Sequence, residues 1–275
     1  MTAVVQAFVP GHVTGFFTSH PDPDPTKAGS RGGGIALSEG VTVTVRPAEE
    51  RSVVLNDELL SMEAVDRVLA ALDVRAQVRG VTDLPLGSGF GVSGAMALGS
   101  ALAANQVFDR RLSRNELVTI AHGAEVQAGT GLGDVVGQAR GGVSLRLEPG
   151  GPQHNVLDSI PARGRIEYHV IGQLSTDAIL SGDTQLITEA GNRALSAVVR
   201  EPTIERFVHA SRQFSRESNL LTDAVRDVIT DVSEAGGAGA MAMLGETVFA
   251  VGSGLSDAGY EPGVCRIQHA GATLA

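Results

Sequence analysis

Between Asp83 and Ala103 the chain reads Asp-Leu-Pro-Leu-Gly-Ser-Gly-Phe-Gly-Val-Ser-Gly-Ala-Met-Ala-Leu-Gly-Ser-Ala-Leu-Ala. Gly87, Gly89 and Gly91 allow backbone angles closed to other residues, and small apolar helix formers follow without interruption. The pattern predicts a glycine loop feeding a helix N-terminus. Free N–H groups and the positive end of the helix dipole converge at such a point, and missing Cβ atoms let a ligand approach the backbone. A phosphate suits that place; tight packing of the small residues against a neighbour is the plain structural alternative. The loop departs from two common phosphate-binding patterns. Val92 stands where the lysine of Gly-x-x-x-x-Gly-Lys-Ser/Thr would fall. Asp109, near the spacing of a dinucleotide fold's acidic residue, sits in a Phe-Asp-Arg-Arg helix end.

What a phosphate loop serves depends on its surroundings. The 275-residue chain is 43% apolar, with 35 glycines and no tryptophan, which suits a folded α/β or α+β protein of one or two domains. Its 31 acidic residues against 21 basic give a net charge of −10, a poor surface for nucleic acid. Lys27 is the only lysine, so positive charge at a site falls to arginine or histidine. Cys265 stands alone, which rules out an intramolecular disulfide and suits a reducing cytoplasm. The N-terminus lacks a secretion pattern, and no apolar run approaches membrane-spanning length, so no membrane partner is expected.

Along the chain, residues 3–9 predict a buried strand stopping at Pro10-Gly11, followed by an extended loop through Pro-Asp-Pro-Asp-Pro. Strands at 35–37 and 41–45 flank Ser38-Glu39-Gly40, a hairpin signal. Further strands near 51–55 and 74–81 surround a helix from Met62 to Leu72. One helix runs from 92 to about Phe108; the capping box Ser113-Arg114-Asn115-Glu116 starts a second that reaches about Gln127. After Gly129-Thr130-Gly131-Leu132-Gly133-Asp134 comes a strand at 143–147, and Pro149-Gly150-Gly151-Pro152 marks a boundary. Beyond it lie a strand at 167–171, helices near 176–199, 203–217 and 220–234, the loop Gly236-Gly237-Ala238-Gly239, and a strand at 247–251.

The Pro10-Gly11-His12-Val13-Thr14-Gly15 opening, Gly29-Ser30-Arg31-Gly32, Pro85–Ala95, Thr130–Asp134 and Met243–Phe249 together resemble the GHMP kinase superfamily, small-molecule kinases, and most of all its archaeal pantoate kinase branch. The resemblance covers nearly the whole chain. It implies an α+β, two-domain GHMP kinase-like fold: a strand-rich N-terminal domain of ribosomal protein S5-like type over 1–150, and a helix-rich C-terminal domain over 151–275. It also implies an ATP- and Mg²⁺-dependent transfer to the primary hydroxyl of (R)-pantoate, giving 4-phosphopantoate in coenzyme A synthesis. A homoserine or mevalonate-type kinase, or a non-catalytic nucleotide or metabolite sensor of the same fold, remains open. The partner would be a small hydroxy acid, and a homodimer is compatible with the family.

The superfamily's Pro-x-x-x-Gly-Leu-Gly-Ser-Ser-Ala motif reads here Pro85-Leu86-Gly87-Ser88-Gly89-Phe90-Gly91-Val92-Ser93-Gly94-Ala95. By resemblance this segment cradles the ATP phosphates, Ser93 helps bind Mg²⁺, and Val92 removes one hydroxyl. Phosphoryl transfer needs charge neutralisation and an oriented acceptor. The resemblance assigns Glu125 to Mg²⁺ and Asp134 to the substrate hydroxyl, although Glu125 also reads as a surface residue and Asp134 as a helix N-cap. His12, where many relatives carry lysine, together with Thr14, Arg31, Gly133 and Arg140, is expected at the substrate. The alternatives are a satisfied loop histidine and ordinary surface arginines. The third glycine loop, Gly236, Gly237, Ala238 and Gly239, is expected beside the phosphate loop.

Overall fold

Two long antiparallel strands carry the molecule, β1 (Val5–His20) and β2 (Gly29–Pro47). In the computed structural model, which describes residues 4–172, 185–243 and 245–275, both strands continue where the sequence predicts breaks. Pro10-Gly11 does not end β1, and Ser38-Glu39-Gly40 does not turn a hairpin. The register shows why. Pro10 pairs with Gly40 and His12 with Ala36, so residues 37–39 are accommodated opposite Gly11 as a bulge. A bulge bends the pair and re-aims side chains without ending it. The backbones approach closely here: a Cβ on Gly40 would lie 2.2 Å from the Val9 carbonyl oxygen.

The first sheet has the order β12-β1-β2-β5-β3-β4. It adds β3 (Ser52–Leu55), β4 (Glu58–Leu60), β5 (Ala76–Val81) and β12 (Thr273–Leu274) to the central pair. β6 (Val143–Glu148) pairs with the start of β2, and β7 (Val156–Ile160) pairs with β6. The strand following Pro149–Pro152 thus still belongs to the first sheet, as does the chain's last strand. A second sheet, β11-β8-β10-β9, comprises β8 (Arg165–Gly172), β9 (Ala238–Ala242), β10 (Glu246–Val251) and β11 (Gly263–Arg266).

Helices α1 (Glu63–Ala71), α2 (Val92–Val107), α3 (Arg114–Ala128) and α4 (Asp134–Arg140) follow the first strands, and the capping box at Ser113 and Glu116 forms as predicted. Later come α5 (Gln185–Arg200), α6 (Ile204–Glu217), α7 (Asp223–Glu234) and the short α8 (Gly254–Asp257). The helix predicted over 176–199 is seen from 185 onward; residues 176–184 lie outside the described residues. α2 is apolar all round because it is buried on nearly every side. Its small residues let it sit directly on the sheet: a Cβ on Gly99 would lie 2.5 Å from Val43 Cγ2. Phe16 on Phe207 and Phe17 on Phe214, at ring separations of 5.4 and 5.6 Å, lock β1 to α6.

Candidate active site

A cavity of about 660 Å³ opens in front of the N-terminus of α2. Its wall includes Gly87, Gly89, Phe90, Gly91, Val92, Ser93 and Gly94. Gly87, Gly89 and Gly91 hold φ of +78°, +85° and +64°, the left-handed region that explains glycine at each. Gly91 is the N-cap of α2, and neither a capping side chain nor an acidic residue occupies the helix's first turn. The N–H groups and dipole of that end are therefore left for a ligand. Gln138 Nε2 donates to the Gly91 carbonyl at 2.8 Å and Thr247 Oγ1 donates to the Ser88 carbonyl at 2.8 Å, fixing the loop from behind.

α3 delivers Glu125 into the same cavity. Ser93 Oγ and Thr130 Oγ1 donate to its Oε1 at 2.6 and 2.8 Å. Burial pushes its carboxyl up to about 7 against these hydrogen bonds, and the neighbouring Asp134 charge adds to the rise. Both hydrogen bonds fall on Oε1, so Oε2 is the oxygen available to a cation. Among the described residues no group of three or more His, Cys, Asp or Glu side chains could hold a metal. Mg²⁺ commonly takes one or two carboxylates and completes its shell with phosphate oxygens and water, and Glu125 with Ser93 fits that demand.

Asp134 opens α4 at the cavity wall. His12 Nδ1 lies 2.7 Å from its Oδ1, and Thr14 Oγ1 donates to the same oxygen at 3.3 Å. An ionised carboxylate only accepts, so His12 carries its proton on Nδ1. Burial would raise the Asp134 carboxyl; hydrogen bonding and charge from His12, the Arg146 guanidinium and Thr14 outweigh it and hold the group below the usual carboxylate range. The His12 and Thr14 contacts both fall on Oδ1 rather than Oδ2. Gly131 separates the two acids: a Cβ there would lie 2.6 Å from Glu125 Oε2 and 3.6 Å from Asp134 Oδ2.

Among the described residues the cation lining this cavity is Arg146, on β6, which no motif in the sequence marks. It is 1% exposed, lines the cavity, and its Nε and Nη1 have no hydrogen-bond partner. Burial lowers its pKa while Asp134 opposes the shift; a guanidinium nevertheless stays charged. Gly133 is glycine because of it, since a Cβ would lie 2.5 Å from both Arg146 Nε and Ser30 Oγ. A buried guanidinium with unused donors is a ready anion receptor.

The structure thus gathers Gly87, Gly89, Phe90, Gly91, Val92, Ser93, Gly94, Glu125, Asp134, Thr14 and Gly133 round one cavity. Pro85, Ser88 and Ala95 support the loop without lining it. His12 is fully buried behind Asp134, wedged against Gly34 and Gly137, where added Cβ atoms would come within 2.3 and 2.5 Å of Nε2. It meets Asp134 and does not line the cavity, contrary to the expected substrate contact.

Neither of the arginines expected at the substrate, Arg31 and Arg140, lines the cavity. Arg31 alternates with cavity-lining Ser30 along β2, and its Nε donates to the Leu147 carbonyl at 2.7 Å. Arg140 is exposed at the end of α4 opposite Asp134. The third glycine loop is also displaced. Gly236 and Gly237 lead into β9, with Gly237 against Val232 and Gly254, while Met243 and Gly245 at the other end of β9 meet Gly89.

Residues 60–142 match the GHMP kinases N terminal domain family. The chain is 33% identical to pantoate kinase of Thermococcus kodakarensis, over 90% of this chain and 87% of that one. It is 32% identical to pantoate kinase of Methanocaldococcus jannaschii, over 89% and 91%. A solved structure described as a phosphotransferase related to the CoA biosynthesis pathway superposes with a TM-score of 0.88 at 29% identity, covering 99% of both chains.

Proposed function

The chain belongs to the GHMP kinase family, in its pantoate kinase branch, and from that premise we propose that it transfers the γ-phosphoryl group of ATP to the primary hydroxyl of (R)-pantoate, with Mg²⁺ and in the cytoplasm. The observation that carries the substrate class is Arg146, a buried guanidinium that lines the cavity holding Asp134 and whose Nε and Nη1 have no hydrogen-bond partner. A substrate with a carboxylate a few bonds from its reacting hydroxyl satisfies both groups at once. Phe17, Leu132 and Met243 supply apolar wall for the geminal methyl groups of pantoate.

In this reading the glycine loop and the α2 N-terminus bind the ATP phosphates. Glu125 and Ser93 would hold Mg²⁺, which would supply charge neutralisation on the phosphates. Asp134 Oδ2 accepts the hydrogen bond of the substrate hydroxyl and aligns its oxygen with the γ-phosphorus. As that oxygen bonds to phosphorus, the bond to the bridging oxygen of ADP breaks and the hydroxyl proton passes to Asp134. A carboxylate held below its usual range is a weak base, which suits a loose transition state where the proton leaves late. His12 acts through Asp134 as a positioning residue.

The test is ADP formation with pantoate, homoserine and mevalonate in parallel. Preference for pantoate supports the proposal, and preference for homoserine overturns the substrate. Tight ATP binding with no ADP from any of the three favours a sensor.

A further inference from the structure

A second cavity, of about 730 Å³, shares no lining residue with the first. Arg163, Arg165, Arg266 and His269 line it, with Ser38 and Cys265. It lies where the sheets meet: Ile267, just after β11, bridges to Leu37 on β2. Arg165 on β8 and Arg266 on β11 are direct cross-strand partners. Like charges set opposite each other weaken a strand pair. Arg163, two residues before Arg165, brings a third guanidinium to the same concavity in a chain whose net charge is −10.

Of the neighbouring acids, Glu167 pairs with Arg165 and leaves Arg163 and Arg266 uncompensated. Arg165 gives Nε and Nη2 to Glu167 Oε1 at 2.9 and 2.6 Å. Glu167 is already engaged by the Ser256 hydroxyl and by the N–H groups of Leu255 and Ser256. Glu39 accepts the Tyr168 hydroxyl at 2.6 Å. Among the described residues, the guanidinium groups of Arg163 and Arg266 have neither a hydrogen bond nor an ion pair. Burial pushes the Cys265 thiol up to about 12, so it adds no negative charge. Ser38 Oγ accepts from the Arg266 backbone at 3.0 Å and keeps its own hydrogen to donate. Val264 and Ile267 contribute apolar wall.

We propose that this cavity is a second ligand site that binds the phosphate group of a phosphorylated metabolite, held by Arg163, Arg165 and Arg266. Planar guanidinium forks suit phosphate oxygens, and the volume accommodates a mononucleotide. The opposed arginines are then explained as a pair that an anion bridges.

Calorimetry at low salt with AMP and, separately, inorganic pyrophosphate tests the site on the whole protein. With the first cavity filled by a non-hydrolysable ATP analogue, the wild type should still bind the probe, and the R163E/R266E variant should bind it at least tenfold more weakly, about the loss expected for two charge-assisted contacts. Tighter binding of AMP identifies an organic phosphate as ligand; equal binding identifies free polyphosphate. An isotherm that R163E/R266E leaves unchanged, or no binding to the wild type, overturns the site. Both arginines are exposed, so the variant should fold; should charge reversal prevent folding, R163Q/R266Q gives the same comparison.

Discussion

His12 Nδ1 and Asp134 Oδ1 lie 2.7 Å apart although their residues are 122 positions apart in sequence. The bulge at Pro10–His12 aims the imidazole inward, and α4 starts at the residue that receives it. Without the imidazole, burial would dominate and the Asp134 carboxyl would rise. H12L should therefore lower kcat by about 10- to 100-fold with little change in KM for ATP. The acid limb of its pH–rate profile should move to higher pH, so that the loss is greater at pH 6 than at pH 8. A uniform loss at every pH would mean that His12 only fills space.

Gly137 tests the same arrangement through stability. Within a helix, Gly→Ala normally stabilises by about 1 kcal/mol. Here the new Cβ would lie 2.5 Å from His12 Nε2. G137A should instead lower the melting temperature, by the equivalent of about 1–3 kcal/mol, and reduce turnover with it. A higher melting temperature would show that the imidazole has room to move.

Glu125 links pH to metal binding. Its carboxyl is raised from 4.5 to about 7, chiefly by burial, so between those values the native protein holds a proton that the unfolded chain has released. Stability from this residue is fully present below the unfolded value and is lost as pH rises through about 7, on the order of 3 kcal/mol in all. In metal-free buffer, E125Q should melt higher than wild type at pH 8 and alike at pH 5. The same variant should lose Mg²⁺-dependent turnover. Calorimetry on the wild type should show Mg²⁺ affinity falling below pH 7 as the carboxyl takes up its proton.

Arg146 is a buried charge without a full set of partners, so apolar replacement need not destabilise the fold. R146M should melt at or above the wild-type temperature while KM for the hydroxy acid rises about 100-fold and KM for ATP changes little. Equal effects on both KM values would move Arg146 from the acid to the phosphates.

Features encoded locally were legible in the sequence. The glycine loop, its helix and the capping box at Ser113 each announce themselves within a few residues, whereas Glu125 and Asp134, locally a surface acid and an N-cap, come only through the family resemblance. What the sequence hid depends on distant chain. Ser38-Glu39-Gly40 has turn chemistry, and only pairing with Gly11 makes it a bulge. Arg146 sits in Val143-Ser144-Leu145-Arg146-Leu147, which reads as a half-exposed strand. Ser144 and Arg146 are buried as fully as Val143 and Leu145, because α4 and its preceding loop cover the other face. A charged residue in a strand next to the Asp134 segment was the one available signal. The glycines at 236–239 drew attention by composition, but β9 carries the chain on to Met243 and Gly245 before it meets the phosphate loop.

The proposed function rests on Asp134 Oδ2 receiving the hydroxyl of a carboxylate-bearing substrate while the glycine loop holds ATP. It is tested most directly by single-turnover ADP formation from ATP and pantoate in wild type and D134N, with ATP affinity measured on both. The predicted result is a fall in rate of about 10³-fold or more in D134N, with the ATP dissociation constant within about twofold, as expected of a group that contacts the acceptor and not the nucleotide. An unchanged rate in D134N would contradict it.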